Sequence, residues 1–330
     1  MKRSNHLIPQ IQTLDNLYLA FWKAQRGHRK SAEVEAFRQQ LDQELFDLQS
    51  QLQSGKLNVG NYRYFYVYDP KERLICACSF SEKVLHHALM NVCHDTFDRY
   101  QIHDSYACRL GKGTHKAVER AAYFSARYPY FAKLDVRKYF ETMPHTVLKA
   151  QLARGFKEKQ LHNYFDQIID SYQTAPERGL PIGNLTSQYF ANHFLGQADH
   201  FVKEKLRVRP YVRYMDDMIL WGGDKKTLRK QSLALKDYLE HSLSVEVKPI
   251  IMNRVCYGLP FLGYQLKSNG IRLHRRSKQR FRRKAKAVQI AWHKGALTDQ
   301  AAASRMQALQ AMTEHAKGSE KFRKVCTFVI

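Results

Sequence analysis

The chain has 330 residues, with 54 Lys+Arg against 30 Asp+Glu and a formal charge of +24. So large a cationic excess points to polyanionic partners, nucleic acid first, and to binding that weakens steeply with salt. No segment approaches the roughly 18 consecutive apolar residues of a membrane span, and Met1-Lys2-Arg3-Ser4-Asn5-His6 leads into no apolar signal core, so no membrane role and a cytoplasmic location are expected.

In chain order, Val34, Phe37, Leu41, Leu45, Leu48 and Leu52 recur at spacings of three and four, predicting one amphipathic helix over 31–54 closed by Gly55. Tyr62–Tyr68 reads as a strand, Asp69–Glu72 as a turn and Arg73–Cys78 as the returning strand of a hairpin. A helix over 81–97 follows, then a glycine-containing loop from Arg109 to His115 that opens another. Phe131–Phe140 is a β-rich run stopped by Pro144, and Tyr211–Trp221 is an apolar hairpin. Leu228–Leu243 reads as a helix, with short strands at Val245–Lys248 and Phe261–Leu266. From Ile271 the composition shifts: Arg272, Arg275, Arg276, Lys278, Arg280, Arg282, Arg283, Lys284 and Lys286 arrive with no acid before Asp299. Phe281, Val288, Ile290 and Trp292 offer only a thin apolar side, so this basic helical segment is expected to contact nucleic acid, through Arg275, Arg276, Arg280 and Arg283 among others. Cys76, Cys78, Cys93, Cys108, Cys256 and Cys326 form no C-x-x-C pair and read as reduced structural thiols.

The densest chemical signal is Tyr214-Met215-Asp216-Asp217 between apolar flanks. Adjacent carboxylates in an apolar setting repel each other and are costly to bury, so such a pair usually holds a cation. Two neighbours on a strand point to opposite faces, so a turn must lie at or beside the pair if both are to reach one ion. An acidic hairpin tip would suit two aspartates equally well, because Asp is a common turn residue. The third acid, Asp135, decides for a metal: two apolar strands each delivering aspartate can place carboxylates around a pair of Mg²⁺ ions, with Mn²⁺ as a substitute. Phosphoryl or nucleotidyl transfer is the chemistry such a site performs.

Taken in order, the motifs resemble those of reverse transcriptases. The resemblance spans about Tyr62 to Leu266 and rests on five blocks: fingers motifs, Leu-Asp-Val-Arg-Lys-Tyr-Phe, Gly-Leu-Pro-Ile-Gly-Asn-Leu-Thr-Ser-Gln, Tyr-Met-Asp-Asp and Phe-Leu-Gly-Tyr. More narrowly, Asp104-Ser105-Tyr106-Ala107-Cys108-Arg109-Leu110-Gly111-Lys112-Gly113 and Leu180–Gln188 are similar to the reverse transcriptases of diversity-generating retroelements. The resemblance implies an α+β right-hand polymerase: an N-terminal helical extension over 1–60, fingers over 61–130, a palm with an antiparallel sheet and part of the fingers over 131–270, and a short basic helical thumb over 271–330, the reverse transcriptase domain running over about 61–266. It implies that Asp135, Asp216 and Asp217 are catalytic metal ligands, helped by the Val136 carbonyl. Arg73 would grip the triphosphate, with Arg63, Lys71 and Arg137 nearby, since a guanidinium fork suits phosphate oxygens. Phe140 would lie beneath the sugar and exclude a 2′-hydroxyl. Lys248 would protonate the leaving pyrophosphate. Ile182, Gly183 and Gln188 would line the nucleotide pocket, and Leu262, Gly263 and Tyr264 would form the primer grip.

Many reverse transcriptases carry glutamine at the position of Ile182 and proline at that of Gln188. An aliphatic side chain donates no hydrogen bond to hold nucleotide and template in register, which fits the miscopying of template adenines known for the resembled family. The implied partners are template RNA, a DNA or RNA primer, dNTPs and a small basic accessory protein that assembles as an oligomer. The implied role is low-fidelity cDNA synthesis for mutagenic replacement of a variable gene segment. The alternatives are a retron or group II intron enzyme, or a catalytically silent RNA-binding protein on the same scaffold.

Overall fold

The apolar spacing near the N-terminus folds as four helices: α1 (Ile8–Ile11), α2 (Leu14–Ala24), α3 (Ala32–Gln39) and α4 (Leu41–Ser54). In this computed structural model the described residues are 3–27, 31–68, 72–311 and 313–316. The single helix expected over 31–54 is broken at Gln40, which leaves the helical region at φ −120° and serves both ends. The break lets Phe37 stack on Phe21 at 5.6 Å and meet Phe80 edge-on at 5.1 Å. A four-residue step from Phe37 to Leu41 is the same with or without a break, so periodicity hides it.

The hairpin follows as β1 (Tyr62–Val67) and β2 (Arg73–Cys78), antiparallel with Tyr62 opposite Cys78 and Val67 opposite Arg73. Ser79 then caps the long helix α5 (Phe80–Tyr100) by accepting from the Glu82 amide. The remaining elements are α6 (Thr114–Ser125), β3 (Tyr130–Asp135), α7 (Tyr139–Thr142), α8 (His145–Gly155), α9 (Lys159–Asp170), α10 (Leu185–Phe194), α11 (Gly196–His200), β4 (Tyr211–Tyr214), β5 (Asp217–Gly222) and α12 (Lys225–Ser242). These lead to β6 (Ile251–Arg254), β7 (Leu259–Phe261), β8 (Tyr264–Lys267), β9 (Gly270–Leu273), α13 (Arg275–His293) and α14 (Asp299–Ala311). The β-rich run from Phe131 therefore ends as a strand at Asp135. The strand expected at Val245–Lys248 is reduced to one bridge, Val247 to Val136. The strand expected over Phe261–Leu266 is instead a hairpin, because Leu262 and Gly263 both take positive φ, 46° and 85°, as a type I′ turn requires.

Two compact units interleave along the chain. The first comprises Met1–His103, Asp135–Lys205 and Leu235–Lys248, and the second Asp104–Leu134, Leu206–Ala234 and Pro249–Ile330. In the first, α5 runs through an aromatic core in which Phe97, Phe156, Phe165 and Phe190 pack within 5.3–6.2 Å of one another. In the second, a sheet in the order β4-β5-β3-β6 shares its core with α6 and with a smaller sheet in the order β7-β8-β9. Trp221, Phe131, Val212, Ile219 and Phe261 fill that core. The C-terminal helices pair over a small nucleus of Phe281, Ala285 and Met306, flanked by Val288, while Ile290 is exposed. Arg275, Arg276 and Arg283 lie on the exposed side of α13, and Arg280 is half-buried.

His193 is 3 % exposed, with the Tyr100 ring at 4.5 Å and Phe97 at 5.4 Å. Burial pushes its imidazole down to about 4. As pH falls below the ordinary histidine value of about 6.5, the unfolded chain takes up this proton before the folded one does, so stability is full above about pH 6.5 and declines toward about pH 4. The contribution is on the order of 3 kcal/mol. Urea unfolding across that window should show the decline, and His193→Gln should flatten part of it; an unaltered slope would contradict the assignment.

Candidate active site

Asp216 lies in a two-residue hairpin turn and Asp217 directly follows it. Tyr214 pairs with Asp217, Met215 and Asp216 form the loop, and Met215 takes φ 52°. The turn resolves the strand-alternation problem, since Asp216 lies in the loop and Asp217 opens β5. Beneath it, the fully buried Arg213 donates through Nη1 to the Met215 carbonyl at 3.2 Å, fixing the tip from inside. Its backbone pairs in turn with Asp104–Tyr106, so the Asp104–Gly113 block begins alongside β4.

Lys133, on β3, donates to Asp217 Oδ2 at 2.7 Å and to the Pro260 carbonyl at 3.0 Å. It thereby ties the acidic hairpin to the β7–β8 hairpin. The pair is mostly sheltered, with Lys133 and Asp217 side chains 15 % and 19 % exposed. Lys133 escaped the sequence reading although a signal was present: it precedes Asp135 by two residues on one strand and so shares its face.

In the first unit, Asp135 accepts from Lys248 Nζ at 2.6 Å, and the Lys248 amide donates to the Asp135 carbonyl at 2.9 Å. The next backbone bond runs from the Arg137 amide to Glu246, so the Val136 carbonyl takes part in neither. Arg137 also forms an ion pair with Glu246 at 2.7 Å, half-exposed on both sides and therefore weak. Tyr139 is buried whereas Phe140 is only half-buried, and the Phe140 carbonyl accepts from the Leu180 amide at 2.7 Å. That bond brings the Leu180–Gln188 segment up to Phe140.

The same segment meets β2: the Cys76 amide donates to the Ile182 carbonyl at 2.8 Å. Gly183 follows at φ 125°, and a Cβ there would lie 2.9 Å from Ile75 Cγ2, so backbone conformation and space both demand glycine. Arg63 opposes Ala77 and Arg73 opposes Val67, which places both arginines on the hairpin face that carries Ile75. Arg63 is exposed and 3.6 Å from Glu33. Lys71 lies outside the described residues. Gln188 is half-buried on α10.

The expected residues thus divide between the units. Asp135, Val136, Arg137, Phe140, Arg63, Arg73, Ile182, Gly183, Gln188 and Lys248 belong to the first; Asp216, Asp217, Leu262, Gly263, Tyr264 and the α13 arginines belong to the second. Tyr264 is a core residue, 5 % exposed, and its burial raises the phenol above its ordinary value. Leu262 and Gly263 form the accessible tip, which docks on the start of α13 through Ser277 Oγ and the His274 amide, both donating to the Gly263 carbonyl.

A carboxylate donor set fits a hard divalent cation, and Asp135 and Asp217 each face a lysine ammonium. Among the described residues no helix is long and apolar enough to cross a membrane.

Residues 69–266 match a family model described as reverse transcriptase (RNA-dependent DNA polymerase). No curated protein sequence matches the chain. Among solved structures, apo telomerase from Candida tropicalis truncated from its C-terminal domain is similar at 14 % identity and TM-score 0.52, covering 65 % of this chain and 55 % of that one. The apo telomerase from Candida tropicalis is similar at 12 % identity and TM-score 0.51, covering 72 % and 54 %. The chain spans about half the length of these telomerases, and at such identities the likeness shows the fold, an α+β polymerase-like arrangement.

Gly183→Ala should destabilise the protein by about 1–3 kcal/mol, through the positive φ and the clash with Ile75. A shift of the urea midpoint with unchanged m-value would register it, and a change below about 0.5 kcal/mol would show that this loop is not held against β2.

Proposed function

Because this chain belongs to the reverse transcriptase (RNA-dependent DNA polymerase) family, we propose that it copies a template RNA into DNA by nucleotidyl transfer at a centre formed by Asp135, Asp216 and Asp217. The observation that carries this reading is the family match over 69–266, which takes in all three aspartates, together with the tight hairpin that sets Asp216 and Asp217 next to each other. Two Mg²⁺ ions, or Mn²⁺ in their place, would be held by these three carboxylates with the Val136 carbonyl, and would activate the primer hydroxyl and neutralise charge on the phosphates.

The protein's own groups supply the rest. Arg73 and Arg63 share the β1–β2 face beside Gly183 and would hold the triphosphate of the incoming dNTP, with Lys71 and Arg137 in support. Phe140, half-buried where its neighbour Tyr139 serves the core, would sit under the sugar and leave no space for a 2′-hydroxyl. Lys248, whose ammonium lies against Asp135, would give its proton to the departing pyrophosphate. Leu262 and Gly263 would press the primer strand, and Arg275, Arg276, Arg280 and Arg283 would bind nucleic acid behind it. On this reading 61–130 would be fingers, 131–270 palm with part of the fingers and 271–330 thumb, after an N-terminal extension over 1–60.

Within the family we place the chain with diversity-generating retroelements, on the Asp104–Gly113 block and the Ile182/Gln188 pair. Its product would be a cDNA miscopied at adenines for mutagenic replacement of a variable gene segment, made with a small basic accessory protein oligomer. Ile182 contributes to the errors because its side chain cannot donate a hydrogen bond to nucleotide or template.

Primer extension on an RNA template with dNTPs should fall by more than about 100-fold in Asp216→Ala, while RNA affinity stays nearly unchanged. RNA binding without extension in either protein would leave a binding module rather than an enzyme. Ile182→Gln should lower misincorporation opposite template adenine relative to other template bases; equal error spectra would remove Ile182 from the explanation.

A further inference from the structure

Away from the acids, the end of β2 and the first turns of α5 bring together three side chains that the polymerase reading leaves unused. Cys78, Glu82 and His86 recur every four residues, and a ligand atom from each lies within 4.8 Å of the other two. They are 4 %, 1 % and 1 % exposed. Glu82 Oε2 accepts from the Gly60 amide at 3.0 Å, but Glu82 Oε1 and both ring nitrogens of His86 have no hydrogen-bond partner. His86 Nε2 and Glu82 Oε1 face each other at 3.5 Å. Leaving three buried polar atoms unsatisfied at one point costs about 1–3 kcal/mol each, and a packed interior rarely tolerates it without a ligand.

We propose that Cys78, Glu82 and His86 bind one zinc-class divalent cation. A thiolate, an imidazole and a carboxylate form a mixed set that suits a borderline ion such as Zn²⁺, whereas Mg²⁺ takes oxygen. One thiolate and one carboxylate balance a divalent charge, so the buried site carries no net charge. On binding, the Cys78 thiol gives its proton to solvent as the metal–sulfur bond forms, and neutral His86 donates a ring lone pair. Tetrahedral ligands at ordinary zinc distances are about 3.3–3.7 Å apart, so the set closes by at most about 1–1.5 Å. A fourth position is left for water or another small ligand. The ion would staple β2, which carries Arg73 and receives Ile182 at its edge, to α5 and through Glu82 to Gly60. Cys78 then has a role beyond that of a structural thiol.

The test uses the full chain stripped with a chelator and titrated with Co²⁺. A near-ultraviolet thiolate-to-cobalt absorption should saturate at one equivalent, yield to Zn²⁺ but not to excess Mg²⁺, persist in Asp216→Ala and vanish in Cys78→Ser. No thiolate band in the wild type, or a band that survives Cys78→Ser, overturns the proposal. Should Cys78→Ser fail to fold, X-ray absorption at the zinc edge of the wild type decides without a variant. One sulfur at about 2.3 Å with nitrogen or oxygen at about 2.0–2.2 Å supports the site, and a shell without sulfur rejects it. Neither measurement depends on polymerase activity.

Discussion

Carboxylates drawn partly out of water must be matched by cations, and this chain meets that demand with lysines placed one strand or one bridge away. Asp217 and Lys133 are the more sheltered pair, so removing either partner would leave a charge in a poorly solvated place. Asp135 and Lys248 are about as close but 35 % and 42 % exposed, where solvent screens the attraction and the partner is more easily exchanged. Both arrangements turn a carboxylate toward positive charge, and carboxylate oxygens are the donors a hard divalent cation takes.

Backbone conformation does as much as charge. Met215 at the acidic tip and the Leu262–Gly263 pair at the second hairpin all hold positive φ, which allows two-residue turns with the twist of their strands. A longer loop at either place would free the tip. Lys133 links the two hairpins by bonding Asp217 and Pro260 together, so the second unit carries its acids and its expected primer contact as one braced group. The first unit achieves the equivalent by backbone bonds: Phe140 to Leu180, Ile182 to Cys76, and Asp135 to Lys248.

Donor chemistry separates the two metal sites proposed for this protein. Oxygen-only carboxylates on the sheet suit a hard, exchangeable ion that works with substrate phosphates. The sulfur, nitrogen and oxygen donors beside α5 suit an ion that stays put. The second would support the first indirectly, since β2 presents Arg73 on one face and Cys78 on the other.

Charge, motif order and alternation were legible in the chain alone. The excess of Lys and Arg, three aspartates among apolar flanks, the β1–β2 hairpin and the long helix after it depend on local composition and period, which neighbours in sequence determine. What folding in three dimensions decided is who stands opposite whom. Lys133 against Asp217, Arg213 beneath the turn, Gly183 against Ile75 and the Cys78–Glu82–His86 cluster with its unsatisfied atoms are properties of packing. The break at Gln40 and the hairpin in Phe261–Leu266 were equally hidden, because helix period survives a kink and strand propensity says nothing of a reversal in direction. Pairing across a sheet and exclusion of water are set by segments far apart along the chain, and no short window of sequence contains them.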